Sequence, residues 1–252
     1  MKLAAFVTIL GIFTLGQAQQ PPATGNATLF LNVRVFDGKS SVLSPSSSVL
    51  VQGNTIERIS TSPIDAGATG SVTVINGGGR VLMPGLIDAH WHAIMASVPQ
   101  MFLMTADPSY IQLLAARQAE ATLMRGFTTV RDLGGPVFAL KRAIDEGVMI
   151  GPRIYPSGAF ISQTSGHGDF RFLFELPRQP GGPLSYTERE GIAAIADSPG
   201  EVRLRVREQL RNGASQIKLM GWRDSALWRL IGRSRRRRTA YRSGGSGVPS
   251  CP

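Results

Sequence analysis

The feature that most constrains this 252-residue chain is a change of texture at Arg80. Before it, short runs rich in branched and aromatic residues stop at turn formers. TLFLNVRVFDG ends at Asp37-Gly38, SVLVQGN ends at Gly53-Asn54 with TIERIS directly after, and SVTVING ends in Gly77-Gly78-Gly79. This punctuation, without any helical period, predicts a small antiparallel β subdomain over residues 28–80. After Arg80 the chain alternates. VLMPGLIDAHWH opens with a strand. Asp107-Pro108 caps a helix running to about Arg125, whose apolar face holds Ile111, Leu114, Ala115, Ala119 and Leu123. A strand is predicted over 127–131, a helix over 136–146 and a strand over 153–158. A long glycine-rich loop follows from Gly158 to Gly191. Ser198-Pro199 caps a helix to about Asn212, and a last strand spans 215–220.

Strand–helix–strand repetition means parallel strands joined by right-handed crossovers. The predicted class is therefore α/β. A doubly wound sheet would want a glycine-rich phosphate loop after its first strand. Here that strand ends in His90-Trp91-His92. A (β/α)8 (TIM) barrel fits better, and residues 81–221 are about half of the roughly 250 that a full barrel needs. The expectation is a partial barrel preceded by the β subdomain.

Composition removes other classes. Hydrophobic residues make up 42% and charged residues 17%, which excludes wholesale disorder, a coiled coil and collagen. The single cysteine, Cys251, leaves no disulfide scaffold and no cysteine-based zinc site. Any histidine-based metal site must draw on His90, His92 and His167, the three in the chain. The net charge of +10 is concentrated at one end. Residues 222–252 hold eight arginines and one aspartate, against 19 basic and 16 acidic residues before them. The body is nearly neutral, so a nucleic-acid-binding surface is not expected.

At the N-terminus one positive charge, an apolar run and small residues at Gly16 and Ala18 describe a secretory signal, with cleavage expected after Ala18. The run is short for a bilayer span. Residues 19–27 are a polar lead-in. The expected setting is periplasmic or extracellular, with no membrane partner after cleavage.

His90 and His92 stand two apart at a strand end, so both rings face the same space. At the C-terminal mouth of a parallel barrel that space is the active site. Two imidazoles on one strand make a rigid half of a metal site. VLMPGLIDAHWH, TTVRDLGG, GPRIYPSGAFISQTSGHGD and GASQIKLM, in this order, resemble the amidohydrolase superfamily, in its imidazolonepropionase-related, prolidase-like branch. The resemblance runs from about residue 28 to Met220. It implies that His90 and His92 bind a divalent metal ion, usually Zn2+, one of two in the complete family site. It also implies that Lys218 reacts with CO2 to form a carbamate that bridges the metals. A lysine in an apolar barrel has a depressed pKa and becomes a nucleophilic amine. Two cations then acidify a shared water, which attacks the carbonyl of an amide or peptide-like small molecule. His167, in SGHGD on the glycine-rich loop, is expected near the substrate. For Arg131 and Asp132, a structural salt bridge and substrate contact both stay open. Asp88 is expected to orient rather than ligate.

The resemblance stops after Gly221. The family calls for two further histidines and an aspartate on later strands, and no histidine follows His167. No catalytic residue is therefore identifiable. The segment 222–252, with its run from Arg235 to Arg238, reads as an aberrant, disordered or frame-shifted tail. The expectation is an impaired metal-dependent hydrolase of carbon–nitrogen bonds. The alternatives are an inactive truncated product or a basic-tailed binding protein.

Overall fold

The computed structural model describes residues 27–65, 71–179 and 181–221. The predicted signal segment 1–18 and the arginine-rich tail 222–252 lie outside the described residues. The chain divides into two compact units, which meet between Pro84 and Gly85.

The first unit is one sheet of five strands: β1 (Ala27–Val35), β2 (Ser47–Gln52), β3 (Thr55–Ser60), β4 (Val72–Asn76) and β5 (Val81–Leu82). Their path is β3-β2-β1-β4, with β5 also on β1. The hairpins β1–β2 and β2–β3 are antiparallel, the second closed by Gly53-Asn54. β4 and β5 run parallel to β1, so the sheet is mixed rather than antiparallel as expected. The long return from β3 makes this possible, because a parallel neighbour needs a crossover rather than a tight turn. Ala27, Leu29, Leu50 and Ile64 form its core. Pairing of Arg34 with Val81 draws the chain as far as Pro84 into this unit.

The second unit alternates strands and helices in the order β6 (Leu86–Trp91), α1 (Gln100–Thr105), α2 (Pro108–Met124), β7 (Phe127–Asp132), α3 (Phe138–Asp145), β8 (Arg153–Pro156), β9 (Phe160–Ser162), α4 (Tyr186–Arg189), β10 (Ala193–Ile195), α5 (Pro199–Arg211) and β11 (Leu219–Met220). Local chemistry sets the long helices. Asp107 accepts the Ser109 and Tyr110 amides at 2.7 and 3.3 Å, and Pro108 opens α2 behind that cap. Ser198 does the same for α5 by accepting the Glu201 amide at 3.2 Å. The strands form two parallel sheets, β6-β7-β8 and β10-β9-β11. β8 runs into β9 through Gly158, whose φ of 67° lies in the left-handed region that glycine tolerates.

In-register parallel neighbours show their side chains on the same face. Asp88, Val130 and Ile154 form one row, and Val130 and Ile154 are buried under the helices with Ile111, Ala115 and Leu140. The opposite face carries Ile87, Thr129 and Arg153 in one row and Arg131 and Tyr155 in the next. It is open: Ile87 is 70% exposed.

Two expectations need correction. The stretch from Gly158 to Gly191 contains β9 and α4 rather than continuous loop, and β10 follows it directly. The last strand is two residues, Leu219–Met220, so Lys218 sits just before it. Among the described residues no helix is long and apolar enough to cross a membrane.

Candidate active site

β6 carries His90, and His92 follows directly after its last residue, Trp91. The Asp88 carboxylate accepts the main-chain amide of His90 at 2.9 Å and so shapes the strand end rather than pointing a ligand outward. Pairing with β7 skips between Asp88 and Trp91, a bulge that turns the end of the strand. Both imidazoles remain neighbours, with centroids 5.2 Å apart in an edge-to-face arrangement. His90 is exposed and His92 is half-buried.

Lys218 enters from the segment just before β11. The Ile161 amide donates to its carbonyl at 2.9 Å, which docks the segment beside β9. The glycine-rich loop supplies His167. Here Ser165 takes a φ of 56°, its amide bonds Asp169 at 2.7 Å, and the Asp169 amide bonds the Gly166 carbonyl at 3.0 Å. Burial pushes the Asp169 carboxyl up, but its bonds from the Arg171 guanidinium and the Ser165 amide outweigh this and hold its pKa below the ordinary value.

These segments meet at one cavity of about 380 Å³, lined by His90, His92, His167 and Lys218 together with Met95, Phe170, Leu219 and Met220. The polar groups thus share an apolar wall. His92 is pushed toward the neutral form, first by burial and then by the charge of neighbouring His90; Lys218 adds to this, while the Gly134 carbonyl and Asp88 oppose it. A neutral imidazole is the form that ligates a metal. Its Nδ1 is buried without a hydrogen-bond partner. An unpartnered imidazole nitrogen facing a histidine- and lysine-lined cavity suits a cation. Among the described residues, no group of three His, Cys, Asp or Glu side chains could hold a metal ion. A third ligand from the described part of the cavity would have to be Lys218.

Asp132 has neither of the roles considered for it. Its side chain is fully buried and bonds no arginine. Oδ2 accepts the Ala93 amide at 2.7 Å and Oδ1 accepts the Gly134 amide at 3.1 Å. Burial pushes its carboxyl up to about 7, against the pull of those two amides. The reason is positional: the carboxyl lies on the helix-covered side of β7, while Arg131 lies on the open face. Ser162 was not singled out from the sequence, yet it is fully buried beside the cavity, donating to the Met220 carbonyl at 2.8 Å. A lone serine in a three-residue strand carries no pattern that would have marked it.

The Amidohydrolase family model matches residues 81–222, more than half of the chain. The chain belongs to the amidohydrolase family. Among curated proteins, the ochratoxinase of Aspergillus niger is 36% identical over 161 residues, covering 56% of this chain and 31% of its own length. Among solved structures, a prolidase complexed with N-methylphosphonate-L-proline matches with a TM-score of 0.68 and 33% identity, covering 77% of this chain and 46% of that one. A Xaa-Pro dipeptidase with bound methionine matches with a TM-score of 0.61 and 28% identity, covering 77% of this chain and 47% of that one. This amidohydrolase chain thus spans about a third of the ochratoxinase and under half of the structural relatives.

Proposed function

We propose that the cavity at His90, His92 and Lys218 is the N-terminal part of a metal-dependent site that hydrolyses carbon–nitrogen bonds in amide or dipeptide-like small molecules. One observation carries this reading: two imidazoles from the end of β6 and the residue just after it, and an amine from the segment before β11, converge on one cavity with an apolar wall. Membership of the amidohydrolase family supports the bond class, and relatives named ochratoxinase, prolidase and Xaa-Pro dipeptidase support the substrate size. The parallel strands β6, β7, β8–β9 and β11 are then the first half of a (β/α)8 barrel, with Ile87, Arg131 and Tyr155 on its inner face.

His90 and His92 would hold a divalent cation, Zn2+ being the natural choice for imidazole donors. Lys218 completes the set as a carbamate: its amine nitrogen bonds the carbon of CO2, a proton leaves to solvent, and an anionic oxygen results. A bound cation supplies Lewis acidity toward a substrate carbonyl and acidifies a water. The chain's own side chains do the rest. Met95, Phe170 and Met220 would keep bulk water from the bound cation, and His167, exposed on its turn, would meet the polar end of the substrate. The Met1–Ala18 segment supports export.

A second reading is a chain without turnover of its own. It is favoured by the open face at Ile87 and by the cavity's lining, which among the described residues holds no carboxylate to carry a proton. A panel of N-acyl amides and X-Pro dipeptides, assayed with added Zn2+, separates the two. Turnover that is lost in His90→Ala supports the hydrolase. Zinc uptake without turnover supports the second reading, and turnover that survives His90→Ala contradicts the metal site.

A further inference from the structure

Asp132 is an expensive residue to bury. A carboxylate taken out of water without a cationic partner is costly, and two amide bonds only partly offset it. Leucine or asparagine would fill the space at less cost if filling were the whole role. What a carboxylate alone offers is two acceptor oxygens held in one plane. Asparagine would present one acceptor and turn a donor toward the second N–H.

Both amides that Asp132 accepts adjoin His92. Ala93 follows it in the chain, and the carbonyl of Gly134 acts on its ring. The main-chain carbonyl of Asp132 reaches the other way. It accepts the Ser157 amide at 2.8 Å and the Gln216 Nε2 amide at 3.3 Å. Gln216 Nε2 also donates to the Tyr155 carbonyl at 2.8 Å, and the Ser215 amide donates to Pro156 at 2.8 Å. Gln216 stands two residues before Lys218. One residue therefore fixes the peptide beside His92 with its side chain and the segment carrying Lys218 with its backbone.

We propose that Asp132 and Gln216 are positioning residues that set the two-histidine strand against the lysine-bearing segment, so that a divalent cation binds only while this bridge is made. The inference rests on the metal site proposed above. Neither residue lines the cavity.

The test uses the full chain, with Zn2+ alone as the probe. Asp132→Asn and Gln216→Glu are compared with Leu140→Ala, a core truncation on α3 away from the cavity. Groups that orient metal ligands change affinity by about tenfold or more. Both bridge variants are expected to weaken Zn2+ binding by that factor. Leu140→Ala, despite its lower thermal stability, is expected to stay within about twofold of the parent, as remote sites do. Bridge variants that bind like the parent, or a Leu140→Ala loss of equal size, overturn the proposal. Gln216 lies at the surface side of the bridge, so its variant keeps the test decisive if Asp132→Asn does not fold. A metal-free readout stands beside this one. The imidazole resonances of His92 are expected to shift in Gln216→Glu and not in Leu140→Ala. Unchanged His92 resonances contradict the bridge itself, whereas a parent chain that takes up no zinc contradicts the metal site.

Discussion

The Ser162 hydroxyl donates to the Met220 carbonyl at 2.8 Å and accepts the Gly168 amide at 3.1 Å. It thereby fastens the turn that carries His167 to the strand that follows Lys218. Ser162→Ala leaves a half-buried carbonyl and a buried amide without this partner, a loss of about 1–3 kcal/mol. Thermal unfolding should move down by about 2–4 °C for each kcal/mol. Hydrogen exchange at the Gly168 amide should accelerate more than exchange in β6; equal acceleration in both would contradict the local role.

Gly168 itself leaves no room. A Cβ built there would meet Phe160 Cε2 at 2.7 Å and Ser162 Cβ at 2.8 Å. Phe160 is fully buried and packs edge-to-face on Phe170, with centroids 5.5 Å apart. Gly168→Ala must therefore displace the turn or the cavity wall, at about 1–3 kcal/mol. A crystal structure of the variant should show His167 moved from its place. An unmoved His167 with unchanged stability contradicts the packing argument.

A further constraint, at α4, is ionic. Glu188, with 2% of its side chain exposed, accepts from Arg205 at 3.2 Å and lies 3.7 Å from Arg178. Its second oxygen accepts the Ser185 amide at 3.1 Å. Removing one partner from a buried ion pair leaves the others uncompensated, typically at about 3–5 kcal/mol. Glu188→Ala should destabilise by that order in urea denaturation, and more than Lys141→Ala, whose Asp145 partner lies on the exposed face of α3.

Asp132 makes stability depend on pH in an unusual direction. Its carboxyl is raised from the ordinary 3.8 to about 7 in the fold, so the folded chain holds this proton more tightly than the unfolded one. Where the native state binds the extra proton, stability falls as pH rises. The contribution is present below the unfolded value, is lost between there and about pH 7, and is flat above. His92, held toward its neutral form, titrates in the same window with the opposite sign, so the comparison is differential: between pH 5 and pH 8 the denaturation midpoint of the parent should fall relative to that of Asp132→Asn. Parallel profiles would contradict the raised pKa.

Much of this architecture was legible in advance because its signals are local. Asp107-Pro108 and Ser198-Pro199 mark helix starts by cap chemistry, and Gly126 and Gly147 mark ends, so α2, α3 and α5 lie where periodicity puts them. His90, His92, His167 and Lys218 could be named as candidates from motif and order, and the cavity does collect them. What stayed hidden depends on distant partners. β9 and β10 are three residues each, too short to show alternation, and they exist because each pairs with a strand far along the chain. The parallel placement of β4 on β1 follows from a crossover rather than from its own residues. For Asp132 the sequence leaves a salt bridge and substrate contact open, because burial against the Ala93 and Gly134 amides is a tertiary fact.

The central claim is that one divalent cation is shared by His90, His92 and Lys218. The most direct measurement is anomalous diffraction at the zinc edge from crystals of the chain grown with Zn2+ and bicarbonate. The account predicts a peak within bonding distance of both imidazoles and of a carbamylated Lys218, absent from crystals of His92→Ala. A peak elsewhere, or none at the two rings, would contradict it.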